Sequence, residues 1–160
     1  MRETTKNRLG PEGPDPRVVR QMFADIAPTY DFLNHFLSLS IDQRWRRRTA
    51  NFIASLKPQP TDVCLDLCSG TGDLSIELHR RLNLQVISSD FCHPMLFESL
   101  KKLRSAGFSE AVHLAEADAL ELPFVDENFA FVTIAFGLRN LQSIERGLQE
   151  MKRVLAPDGV

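Results

Sequence analysis

Val63-Cys64-Leu65-Asp66-Leu67-Cys68-Ser69-Gly70-Thr71-Gly72-Asp73 decides the fold. Val63 to Leu67 is a short, nearly continuous apolar run, the pattern of a strand buried on both faces of a parallel sheet. Gly70 and Gly72 supply a tight turn in which the backbone can approach a ligand closely. Leu74, Ile76, Leu78 and Leu82 then recur at helical spacing. The stretch is therefore a strand, a glycine turn and a helix, whose first N–H groups point at whatever occupies the turn.

Downstream, the alternation repeats. Gln85 to Asp90 reads as a second strand that ends on an acid, and Pro94 opens a helix carrying Met95, Leu96, Leu100 and Leu103 and stopped by Gly107. Val112 to Ala115 reads as a third strand, and Phe129 to Phe136 as a fourth. Ile144, Leu148, Met151 and Leu155 mark a last helix, halted by Pro157-Asp158-Gly159. Strands alternating with helices predict a parallel sheet with helices on both faces. The chain stops at Val160, past a turn that should feed another strand, so the sheet is expected to be incomplete at its C-terminus.

Upstream, residues 1–16 hold Gly10, Pro11, Gly13, Pro14 and Pro16 and little that is apolar, the mark of a mobile tail. Residues 17–60 form a helical segment. Val18, Val19, Met22, Phe23 and Ile26 predict an amphipathic helix ended by Pro28, and a second helix is expected from about Asp42 to Leu56. Residues 61–160 are the ligand-binding α/β part. Residues 1–60 carry ten Lys/Arg against six Asp/Glu, and residues 61–160 nine against fifteen. The net charge of -2 disfavours a dedicated nucleic-acid binder, while the basic N-terminal part suits a membrane surface or an anionic ligand. Three cysteines without paired spacing give neither a disulfide framework nor a zinc site, so no metal is expected. With no long apolar run and no apolar leader, the cytoplasm is the default expectation.

Ligands of an open parallel sheet bind beyond the carboxyl ends of its strands. Asp66 and the Gly70-Thr71-Gly72 turn lie at the first such end. A dinucleotide site asks for a third small residue where Ser75 stands. An acid before the turn is what S-adenosylmethionine sites carry, where it can help hold the methionine ammonium group. Asp90, 18 residues after Gly72, can accept hydrogen bonds from both hydroxyls of a ribose. Asp118 and Ala119, after the third strand, can meet an adenine amino group and leave room for its ring. Each has a plainer reading: a bare turn, a helix cap for Asp90, a solvated loop for Asp118.

Taken together these residues resemble the ubiquinone/menaquinone biosynthesis C-methyltransferases over about Val18 to Gly159. Val19 to Phe23, Ala27-Pro28-Thr29-Tyr30-Asp31, Asn34, Ile41, Trp45 and Arg46 resemble the family's N-terminal signature. Phe136-Gly137-Leu138-Arg139-Asn140 is the most telling stretch, since other methyltransferases lack it. The resemblance implies a Rossmann-like class I S-adenosylmethionine-dependent methyltransferase sheet with an N-terminal helical lid. It implies transfer of a methyl group from S-adenosylmethionine to a ring carbon of a polyprenylated quinol. Thr71, Asp90, Asp118 and Ala119 would contact the cofactor, Asp66, Gly70 and Gly72 would shape its pocket, and Tyr30 would close over it. Arg139 and Asn140 are the catalytic candidates, steadying the oxyanion that develops on the acceptor. His35, Tyr30 and His113 remain open as the base.

The apolar stretch Phe32–Ile41 is a candidate contact for the polyprenyl tail, and Arg44, Arg46, Arg47 and Arg48 are candidates for lipid headgroups, which would make the protein peripheral to a membrane. Ala135 stands where many relatives carry Ser. Three rivals remain: a nicotinamide-dependent oxidoreductase, a methyltransferase for another small molecule, and a non-catalytic cofactor-binding module. Naphthoquinol or benzoquinol as acceptor, and the oligomeric state, stay open.

Overall fold

A computed structural model describes residues 13–32, 34 and 41–160. His35 and most of the Phe32–Ile41 stretch lie outside them. Four parallel strands, β1 (Val63–Leu67), β2 (Gln85–Asp90), β3 (Val112–Glu116) and β4 (Phe131–Ile134), stand in the order β3-β2-β1-β4. The chain winds outward from β1 to β3 and returns to the other side of β1 for β4. The crevice where the winding reverses opens between β1 and β4. Val160 pairs with the far side of β4, donating to the Ala130 carbonyl and accepting from Val132 N–H.

The helices are α1 (Pro16–Ile26), α2 (Ile41–Ser55), α3 (Asp73–Leu82), α4 (His93–Ala106) and α5 (Ile144–Val154). The two-residue period of β1 sorts them. Cys64 faces a core with Ala50 and Ile53 of α2, Leu74 and Leu78 of α3 and Leu103 of α4. Leu65 and Leu67 face the opposite core, with Leu122, Phe129 and Val154 of α5. Burying each of these leucines contributes roughly 1.5–3 kcal/mol.

The ends follow local chemistry. Asp15 caps α1 by accepting from Arg17 N–H at 2.8 Å, and Pro16 begins it. Gly107 ends α4 in the left-handed conformation, as its position predicts. Pro94 sits second in α4, after His93, rather than first. The fourth strand is shorter than the Phe129–Phe136 apolar run. Phe136 turns to φ 62° and leaves the ladder, while Phe129 packs in the core through a bridge to Leu155.

Gly13 to Pro16, expected in a tail, are packed. A Cβ on Gly13 would lie 2.7 Å from the carbonyl oxygens of Leu141 and Gln142. Only hydrogen fits there, so the segment rests against the loop that follows β4.

Candidate functional site

One cavity of about 340 Å³ gathers the carboxyl ends of all four strands. Its size suits a small organic ligand. From β1 it takes Cys68 and Gly70, from β2 Asp90 and Phe91, from β3 Ala117 to Leu120, and from β4 Ala135, Phe136, Gly137, Arg139 and Asn140. The roof is the N-terminal segment: Met22, Phe23 and Ile26 of α1, then Tyr30 and Asn34.

Asp90 is the polar centre of the floor. Its Oδ2 accepts Gly70 N–H at 2.8 Å and its Oδ1 accepts Cys92 N–H at 2.8 Å. The side chain thus ties β2 to the glycine turn and holds the start of α4, where Cys92 is the cap residue. Each oxygen keeps a lone pair for a ligand hydroxyl. Burial raises the Asp90 carboxyl above the ordinary range, and the backbone N–H bonds oppose the shift.

Asp66 does something different from what its spacing suggests. It is 1% exposed and does not line the cavity. Its Oδ1 accepts the Thr133 hydroxyl at 2.9 Å. Ser75 Oγ lies 2.6 Å from its Oδ2 and 2.8 Å from Ser88 Oγ. The single Ser75 proton goes to the carboxylate, so the Ser88 hydroxyl donates to Ser75. The reason is strand parity. Asp66 shares the α3 side of β1 with Cys64, so it points under the turn. These bonds pin β1, β2, β4 and α3 beneath the site. Burial pushes its carboxyl up to about 6, against the two hydroxyl bonds.

Thr71 also departs from expectation. It is 2% exposed and absent from the cavity lining. Its hydroxyl donates to Asp31 Oδ1 at 2.6 Å and accepts from Lys102 Nζ at 3.0 Å. Gly72 lies under the turn at φ 80°, where a Cβ would meet Ser99 Oγ at 2.2 Å. Gly70 does line the cavity. A Cβ there would sit 4.0 Å from the Tyr30 ring, so Tyr30 lies directly on the turn.

Asp118 and Ala119 reach the cavity as a tight turn. Asp118 is exposed and its Oδ1 accepts Leu120 N–H at 2.9 Å, while Ala119 is buried. Arg153 of α5 fixes this loop by donating to the carbonyls of Leu122 and Phe124, and Glu150 accepts Leu122 N–H. The Arg153 guanidinium holds the Glu150 carboxyl down at about 2.

Arg139 and Asn140 occupy a single 3-10 turn, Leu138–Asn140, at the cavity wall. The turn can come this close because Gly137 has no side chain: a Cβ would lie 2.2 Å from Cys68 Cβ. Cys68 itself has φ 51°, so both walls of the crevice carry a strained non-glycine residue, Cys68 and Phe136.

Of the base candidates, Tyr30 lines the cavity, but burial raises its phenol. His113 stands on β3 away from the lining, and His35 lies outside the described residues. Arg46, a headgroup candidate, is 12% exposed and paired with Asp42 and Asp73, leaving Arg44, Arg47 and Arg48 exposed. Sequence reasoning expected a helical lid over residues 17–60 but did not single out Phe91, Met95 or the α1 residues Met22, Phe23 and Ile26 as lining. The α1 pattern was visible, but the surface it packs on is non-local. No group of His, Cys, Asp or Glu among the described residues forms a metal site, and no described helix is long and apolar enough to cross a membrane.

The fold recurs in solved structures. The cyclase SpnF superposes with a TM-score of 0.75 over 94% of this chain and 60% of that one, at 21% identity. A cyclase on this scaffold is a reminder that the fold does not name the reaction. Sequence is more informative. The demethylmenaquinone methyltransferase of Thermus thermophilus is 47% identical over 86% of this chain and 61% of its own length. The Bacteroides fragilis protein of the same name is 40% identical over 92% and 60%. The chain thus spans about 60% of the length of the curated relatives it matches. Residues 12–160 match the ubiE/COQ5 methyltransferase family, and the chain belongs to it.

Proposed function

We propose that this chain carries the cofactor site, and the catalytic wall, of an S-adenosylmethionine-dependent C-methyltransferase that acts on a ring carbon of a polyprenylated quinol. Demethylmenaquinol, or the equivalent ubiquinone precursor, is the acceptor. The carrying observation is one cavity in which Asp90, Gly70, Asp118 and Ala119 line the floor and Arg139 and Asn140 the wall.

The donor set fits the cofactor. Asp90 keeps two lone pairs for the ribose hydroxyls. Phe91 and Ala119 offer apolar surface to the adenine beside the Asp118 carboxylate, and Gly70 lets the backbone approach. S-adenosylmethionine supplies a methyl group already activated on sulfonium. The chain's task is to align the acceptor carbon with it, and orientation of this kind can be worth about 7–11 kcal/mol. Arg139 stays protonated and, with Asn140, stabilises the oxyanion that forms as the quinol hydroxyl loses its proton. Tyr30 keeps its proton near neutral pH and closes the roof as a donor. The described lining holds no imidazole. The acceptor's lipid tail draws this cytoplasmic protein to a membrane surface, where the exposed Arg44, Arg47 and Arg48 meet anionic headgroups.

Calorimetric titration with S-adenosylhomocysteine tests the reading. Saturable binding is expected, weakened about 10- to 100-fold by Asp90→Ala. A folded chain that binds nothing, or binds equally well without Asp90, overturns it. Methyl transfer to demethylmenaquinol, lost in Arg139→Ala with cofactor affinity unchanged, tests the acceptor half.

A further inference from the structure

We infer that Lys102, on α4 and outside the cavity lining, is a positioning residue that latches the lid over the cofactor. The inference rests on the cofactor reading above. Lys102 Nζ lies 2.6 Å from Asp31 Oδ2 and 2.5 Å from Asp73 Oδ1, and it donates to Thr71 Oγ1 at 3.0 Å. Thr71 in turn donates to Asp31 Oδ1. Four chain segments meet on this one ammonium group: the lid through Asp31, the glycine turn through Thr71, the start of α3 through Asp73, and α4.

Asp31 directly follows Tyr30, whose ring covers Gly70. Holding Asp31 therefore holds the cavity roof. The charge count explains why Lys102 matters. Asp31 and Asp73 both reach Lys102, whereas Arg46 is paired with Asp42 and Asp73. Removing Lys102 leaves Asp31 facing Asp73 with no ammonium between them, so the lid is repelled from the turn that it now clasps. The side chains of Lys102, Asp31 and Asp73 are 25%, 37% and 27% exposed. The latch is wet enough to be screened by salt and to open for ligand exchange.

The test is the dissociation rate of S-adenosylhomocysteine from this chain, followed by displacement. Lys102→Met should speed release about fivefold, and Lys102→Arg should restore most of the loss. In the unaltered chain, release should quicken as sodium chloride rises to about 0.5 M, and in Lys102→Met it should not. Asp31→Asn added to Lys102→Met should recover part of the loss, because it removes the repulsion from Asp73. A merely structural lysine would lower stability without changing the salt response. Unchanged release in Lys102→Met, or an equal salt response in both chains, overturns the latch and leaves the cofactor reading intact. Failure of the unaltered chain to bind overturns both. Should Lys102→Met not fold, the salt series on the unaltered chain and Lys102→Arg decide the matter.

Discussion

The floor and the roof of the cavity are held by different forces. Under the floor, the buried Asp66, Ser75 and Ser88 and the half-buried Thr133 exchange hydrogen bonds, joining three strands and α3. The roof has a small apolar contact of Ala27, Phe23 and Tyr30 with Cys92 and Met95, and beyond that ion pairs open to water. Buried networks tolerate little displacement, because a partner lost there leaves a polar atom without water. Solvated ion pairs exchange readily. The floor fixes where a ligand sits, and the roof governs how it enters and leaves.

The largest expected effect that would break this contrast concerns Asp66. Its carboxyl stands at about 6, above the 3.8 of a free group. A raised folded value favours the folded state at acid pH, and that contribution is lost as pH climbs through about 6. Relative to Asp66→Asn, which does not titrate, the natural chain should lose up to about 3 kcal/mol of stability between about pH 4 and pH 7. Urea melts of both chains across that range measure it. A constant difference would mean that the floor is wetter than described.

Gly137→Ala probes the cavity wall above that floor by volume. The added methyl meets Cys68 Cβ, which cannot rotate away, so the loss should be about 1–3 kcal/mol, with weaker S-adenosylhomocysteine binding, both read by thermal melting with and without ligand. The smallest effect belongs to the roof. Asp15→Ala removes the α1 cap and should cost about 1 kcal/mol or less globally. It should appear instead as faster amide exchange confined to α1. Exchange quickened equally in β1 would merge the two regions into one.

Much of this was legible in the sequence. Four apolar residues around Asp66, two glycines, and the acids Asp66, Asp90 and Asp118 at the ends of the first three strands predicted β1, the turn and the crevice, because these signals are local. Asp90 was legible as an acid that ends a strand, and it lines the cavity. For Asp66 and Thr71, which do not line the cavity, spacing says how far a residue lies from a turn, not which way it points. The alternation of Cys64 with Leu65 held that information, and only the two cores made it readable. Lys102 carries no distinctive local signal beside Lys101 on α4. Its partner Asp31 lies far upstream, and no local pattern joins them.

Phe136, two residues past β4, has a left-handed backbone, is 55% exposed and lines the cavity. That backbone costs a bulky residue roughly 1–2 kcal/mol, which glycine would avoid. Stability and ligand contact therefore pull position 136 in opposite directions. Laboratory evolution for thermal tolerance alone would drive it toward glycine or asparagine and strip the crevice of its aromatic wall, whereas selection for turnover would hold the strained phenylalanine in place.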